Sequence, residues 1–246
     1  MSARSVCFFP NREMEACEKD RCRPLQRRIP NSSVVLELNS APLRGLEQFV
    51  ADGLFLSLWF PSFELDEMLP RALAVMRQFP FSVLQPGISY VALHPVSWNE
   101  PTIFEQRFRP GIPPEEAVLL ASDLLHEDYA YSFEAFWDLW ILPPSGHEWI
   151  LQPSLVRFLV HGIQFEEGVY QHEGHVEVDF GIDSPFLQDE VQLTGEAETR
   201  VRSNVQKLVE FTNQAEKSSG ASGRLLWSDA EENFAQKLIA RLQKVQ

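Results

Sequence analysis

The sequence is poor in cysteine, with only three residues in 246, all of them within the first 22 positions. Disulfide scaffolds and thiolate metal sites need several cysteines close together, so both are excluded for the rest of the chain. The spacing of Cys7, Cys17 and Cys22 also differs from the C-x-x-C pattern of zinc and redox sites. We expect unpaired thiols in a loose tail, and no cofactor is predicted.

Long hydrophobic runs are missing as well. No stretch approaches the ~20 apolar residues of a membrane span, and the N-terminus lacks the apolar segment of a signal peptide. We therefore expect a soluble, cytoplasmic protein.

Basic residues are outnumbered, 21 against 35 acidic residues, which gives a formal charge of −14. This charge repels phosphate backbones and anionic lipids, and it argues against nucleic-acid and membrane binding. Glycine-rich phosphate loops and EF-hand loops are also absent from the sequence. No catalytic signature remains, so the sequence favours a non-enzymatic protein without settling the question.

Residues 1–33 differ in composition from the rest of the chain. They hold seven basic and four acidic residues and three prolines, without apolar periodicity. This composition predicts a basic, disordered N-terminal tail that is solvated, docks on the acidic body or reaches an acidic partner. We divide the remainder into residues 34–142 and residues 143–246.

Residues 34–142 show a regular succession of hydrophobic periods. Alternating leucines from Leu54 predict a strand, and apolar residues at helical spacing from Leu65 predict a helix with Ser62 as its N-cap. The predicted order is strand 54–60, helix 64–79, strands 87–94 and 102–108, a helix from 113 that buries Ala117, Val118, Ala121, Leu124 and Leu125, and strand 133–142. This β-α-β-β-α-β order is typical of the ferredoxin-like fold.

Residues 143–246 give the order β-β-α-β-α. We predict strands 155–165 and 175–182, paired as a hairpin that turns near 167–168, helix 199–216, strand 224–227 and helix 229–244. This segment either extends the first sheet or is a degenerate second copy. The fold class is α+β, with a mostly antiparallel sheet and a second half packed on the first.

The strand predicted at 133–142 is apolar on both faces. Phe133, Trp137 and Leu139 lie on one face, and Phe136 and Trp140 lie on the other. Because such a strand needs cover on both sides, we expect the C-terminal half, a second subunit or an apolar ligand to lie against it.

These strands suggest one ligand site. An apolar pocket between the sheet and the C-terminal half would be lined by Trp59, Trp137, Trp140 and Phe158, with Arg157 and His161 orienting the ligand. The alternative for His161 is a buried histidine bonded to a carbonyl group.

A second polar cluster follows His172. His175, Glu177 and Asp179 share one face of their strand, which we interpret as a solvated outer face. The alternative is a metal site, for which His172 and His175 are the first ligands to consider.

Two features favour protein binding. Trp98, at a predicted hairpin tip, is either an interface anchor or folds back on the core, and acidic residues from Glu115 to Asp138 predict a solvated acidic helix surface. The sequence therefore predicts protein–protein binding or self-association through the sheet, the acidic helix or Trp98. The alternative is a small-molecule-binding protein or enzyme that uses the apolar pocket.

Overall fold

A computed structural model describes residues 53–143, 148–187 and 195–229. The chain divides into two units, residues 1–50 and 51–246, and every described residue belongs to the second. The predicted tail 1–33, with all three cysteines, lies outside the described residues, and of the predicted helix 229–244 only position 229 is described.

The described residues form a mixed α+β fold, as predicted. The helices are Leu65–Met76 (α1), Pro114–Ser122 (α2), Tyr170–Glu173 (α3), Ser184–Leu187 (α4) and Gly195–Ser219 (α5). The strands are Gly53–Trp59 (β1), Ile88–Pro95 (β2), Phe104–Ile112 (β3), Tyr129–Ile141 (β4), Ile150–His161 (β5), Val176–Ile182 (β6) and Gly223–Ser228 (β7). None of the helices in these described ranges has the length and apolar character needed to cross a membrane.

All seven strands belong to one sheet, in the order β3-β2-β4-β5-β6-β1-β7. Each neighbouring pair is antiparallel. The longest pairing joins β4 to β5, from Ala130 opposite His161 to Ile141 opposite Ile150. The predicted boundary at 142–143 therefore falls between two strands in the middle of a sheet to which both predicted halves contribute.

The order β1-α1-β2-β3-α2-β4 along the chain agrees with the prediction, but the ferredoxin-like arrangement is not confirmed. β1 pairs with β6 and β7 instead of with strands of its own half. The physical reason is the β4–β5 hairpin, which continues the sheet through β5 to β6. The place beside β4 is then occupied, and β1 joins the sheet beyond β6.

The core lies between one face of the sheet and helices α1 and α5. Leu54, Leu56 and Leu58 of β1 point to this core face, as their alternation predicts. The stripe predicted on α5 is also confirmed, since Val201, Val205, Leu208, Thr212 and Ala215 are all buried.

Aromatic rings fill the centre of this core. The ring of Phe79 lies 5.1 Å from Phe158, 5.4 Å from Phe211 and 5.5 Å from Trp137. Such ring contacts stabilise a core by more than the area that the rings bury.

At the start of α1 the predicted N-cap is wrong. Glu64 is the N-cap, and the hydroxyl of Ser62 instead donates a hydrogen bond to Glu67.

The opposite face of the sheet, here called the second face, is covered unevenly. Ala130, Ser132, Leu159 and His161 are buried, whereas Leu151 at the other end of β5 is 50% exposed. The expectation that β4 and β5 are shielded on both faces therefore holds at one end of these strands. The solvated outer face predicted for His175, Glu177 and Asp179 is wrong for the first two, which are buried where α3 packs on β1 and β6.

Candidate functional site

Three histidines lie in one row across the buried end of the second face, with Ala130 between His94 and His161. The register places His94 opposite Ala130 and Ala130 opposite His161. The backbone amide of His161 then donates to the carbonyl oxygen of His175. We call this cluster, together with Trp98 and Phe165, the histidine end.

Trp98 folds back onto these histidines. Its ring centroid lies 4.8 Å from His94, 5.0 Å from Phe165 and 5.9 Å from His161. The indole is half-buried. Of the two alternatives for Trp98, the structure shows the fold-back, and its role as an interface anchor stays a prediction.

His161 is fully buried, and its Nδ1 atom lies 2.9 Å from the carbonyl oxygen of Gly174. A carbonyl oxygen only accepts, so Nδ1–H donates this hydrogen bond. The Nε2 atom faces Glu173 Oε2 at 3.9 Å. The carbonyl-bonded histidine expected as the alternative is thus the arrangement that the structure shows.

His175 is buried and electrically neutral near pH 7. Its Nδ1 atom accepts a hydrogen bond from the Phe60 backbone amide at 3.0 Å, and its ring stacks on Phe63 and Tyr170. Burial, and next the neighbouring His161, lower the pKa of His175 to about 4. Burial also lowers the pKa of His94.

The metal interpretation gains no geometric support. Nδ1 of His175 is occupied by the Phe60 amide, and His172 is exposed on α3. Within residues 53–143, 148–187 and 195–229, no group of three or more His, Cys, Asp or Glu side chains is arranged to hold a metal ion.

The backbone is strained around the histidine end. Val96, Glu166 and Glu167 are the non-glycine residues with positive φ in the described part of the chain, at 59°, 45° and 56°. The Glu166 amide donates to the Val96 carbonyl oxygen at 2.8 Å, so the two strained loops are joined. Left-handed backbone at a β-branched residue persists only where its surroundings hold it. The histidine end therefore fixes two loops in one arrangement.

A row of charged residues crosses the second face next to this cluster. Arg157 pairs with Glu134 at 3.2 Å and with Asp179 at 3.3 Å. Tyr90 lies in the same row and donates a hydrogen bond to Glu105. Its pKa is raised to about 12, mainly by burial and then by this hydrogen bond. The guanidinium of Arg157 is therefore already paired with two carboxylates of the protein itself.

The six residues predicted to line a pocket are not brought together. Trp137 and Phe158 lie in the core, whereas Trp59, Arg157 and His161 lie on the second face. Trp140 instead contacts α5, where the Cζ atom of Arg200 lies 4.7 Å from the centroid of the Trp140 ring. Alternation along a strand separates neighbouring residues onto opposite faces, which is why this set divides.

A different surface stands out on α2. Ala117 and Ala121 face the core, while Leu119, Leu120 and Leu124 are 68%, 38% and 42% exposed. The expectation that Leu124 points inward is wrong, and Val118 and Leu125 are only half-buried. The helix packs on the core through Ala117 and Ala121, with Val118 partly buried, and leaves Leu119 and Leu120 exposed; Leu124 lies in the turn after the helix. We call these three leucines the leucine face.

Acidic residues border the leucine face. Glu116 lies one helical turn before Leu120, and Asp123 lies one turn after Leu119. Both acidic residues are exposed. Glu115, on the same helix, pairs with Arg77 of the segment after α1 at 2.7 Å.

Comparisons with family models, with curated proteins and with solved structures each found no match. The functional proposals below therefore rest on the geometry of this chain.

Proposed function

We propose that the protein acts by binding another protein, and that the leucine face of α2 is its contact surface. The observation that carries this proposal is the exposure of Leu119 and Leu120 in α2 and of Leu124 in the turn that follows it. Covering a leucine side chain is worth up to about 2 kcal/mol, so three of them supply a useful part of a binding energy.

Other exposed apolar residues support a binding surface less well. Val83 is 86% exposed and Leu84 is 75% exposed, but both lie in the loop between α1 and β2. A helix holds its side chains in fixed relative positions, so less freedom is lost when a partner binds. The expected small-molecule function stays a prediction, and the separation of its six residues gives it no support.

Site-specific photo-crosslinking in extracts of the native cell tests the proposal. A photoreactive amino acid at position 119 should give a discrete adduct heavier than the protein, because a partner covers this position. The matched control carries the same group at position 83, which is also exposed but lies outside α2.

Equal adduct patterns from both positions, or no discrete adduct from position 119, would contradict the proposal. The mass of the adduct separates a second copy of this chain from a different protein. Light scattering of the purified protein shows independently whether the chain associates with a second copy of itself.

A further inference from the structure

We infer that the occupant of the leucine face is a basic amphipathic helix of another protein. This inference rests on the proposed function and adds the chemistry of the partner. It is carried by the charges around α2, by the geometry of the helix and by the properties of the neighbouring strand.

The segment around α2 is strongly one-sided in charge. Between Arg109 and Arg157 the sequence contains eight acidic residues and no lysine or arginine. Arg77, which the structure brings to α2, is already paired with Glu115. The border of the leucine face is therefore negative, and lysine or arginine side chains complement it.

The same charges exclude other occupants. A second copy of this chain brings another −14 and the same acidic border, so two copies repel each other at this face. An anionic membrane surface is repelled for the same reason.

The geometry of this region indicates that the partner binds with a helix and not with a strand. Leu119 and Leu120 lie in the last turn of α2 and Leu124 lies in the turn that follows, and exposed side chains of a helix pack between those of a crossing helix. The adjoining β3 is an edge strand, but it carries the charged residues Glu105, Arg107 and Arg109 and also Pro110. Charges and proline on an edge strand oppose the addition of another strand.

The length of α2 limits the strength of the complex. Nine residues span about 13 Å, so the contact lies at the small end of protein interfaces. We expect a Kd on the order of micromolar and a strong dependence on salt.

Peptide binding to the full chain, measured by fluorescence anisotropy, tests the inference. The probe is a labelled amphipathic peptide of about 18 residues, with leucines along one face and lysines beside them. A second peptide keeps the leucines and carries glutamate at every lysine position. The basic peptide should bind at least about tenfold more tightly, and raising the salt from about 50 to about 500 mM should weaken it by a similar factor.

Three double variants locate the binding. Glu116→Lys with Asp123→Lys should weaken the basic peptide about tenfold, whereas Glu100→Lys with Glu148→Lys, an equal charge change at exposed positions outside α2, should change it less than about twofold. Leu119→Ser with Leu120→Ser should also abolish binding, because charge alone does not hold the peptide.

Equal binding of both peptides would overturn the inference, and so would equal effects of the two charge reversals. Binding that survives loss of the leucines would overturn it too, since it would show general attraction to an acidic protein. A discrete adduct from position 119 alongside any of these results would keep the proposed function and reject only the partner's chemistry.

Discussion

The histidine end and the leucine face use their side chains in opposite ways. At the histidine end, the rings of His161 and His175 are buried and hydrogen-bonded to the backbone, and a hydrogen bond joins the two strained loops. On α2, by contrast, the apolar side chains of Leu119 and Leu120 are exposed to solvent. The histidines therefore belong to the part of the protein that holds its own structure together, whereas the exposed leucines belong to the part that is available to a partner.

The largest expected difference between the two regions is in stability. His161→Ala removes a buried ring and leaves the Gly174 carbonyl without its donor, so it should lower the free energy of unfolding by about 3 kcal/mol. Leu119→Ala should change it by less than about 0.5 kcal/mol, because the leucine is mostly exposed. Urea denaturation of both variants measures the difference. Similar losses would mean that α2 also depends on its leucines for folding.

Acid should act through the histidine end. The folded-state pKa of His175 is about 4, below its ordinary value of 6.5, so the unfolded chain binds a proton that the folded chain does not. The stabilising contribution is complete above pH 6.5 and is lost as the pH falls toward 4, a loss of about 3 kcal/mol. Chemical denaturation at several pH values measures it.

His175→Asn is the control for this titration. The asparagine side chain offers an acceptor to the Phe60 amide but does not titrate, so the variant should lose much of the pH dependence between 6.5 and 4. An unchanged pH profile would show that other groups cause the acid sensitivity.

The smallest effect concerns the strained loops. Val96→Gly should raise the free energy of unfolding by about 1 kcal/mol, because glycine adopts the left-handed conformation without strain. Val83→Gly is the matched control at another exposed valine, and it should lower stability by about 0.5 kcal/mol through chain entropy. If both glycines lower stability, strain at Val96 is not stored in the fold.

The local elements follow from the sequence because their signals are local. The alternation from Leu54 predicts β1, and the apolar spacing from Leu65 predicts α1, each to within a few residues. The strand order does not follow, since β1 and β6 are more than 100 residues apart and nothing in their patterns selects this pairing. The interior position of β6 does not follow either, and the burial of Glu177 depends on the packing of α3 on this part of the sheet.

The candidate surfaces were harder to predict than the elements. His94 and His161 come into one row only through the registers of β2 with β4 and of β4 with β5. On α2 the leucines predict burial by their apolar character, yet the close packing of Ala117 and Ala121 decides which side faces the core. The acidic border was visible in the sequence, and it was the available signal for this surface.

Hydrogen exchange of the full chain, with and without a saturating amount of the basic amphipathic peptide, tests the division between the two regions most directly. The proposed division predicts that added protection is confined to α2 and the residues that follow it, with unchanged exchange at residues 94–98 and 161–175. Protection at the histidine end, or protection spread evenly over the sheet, would contradict it.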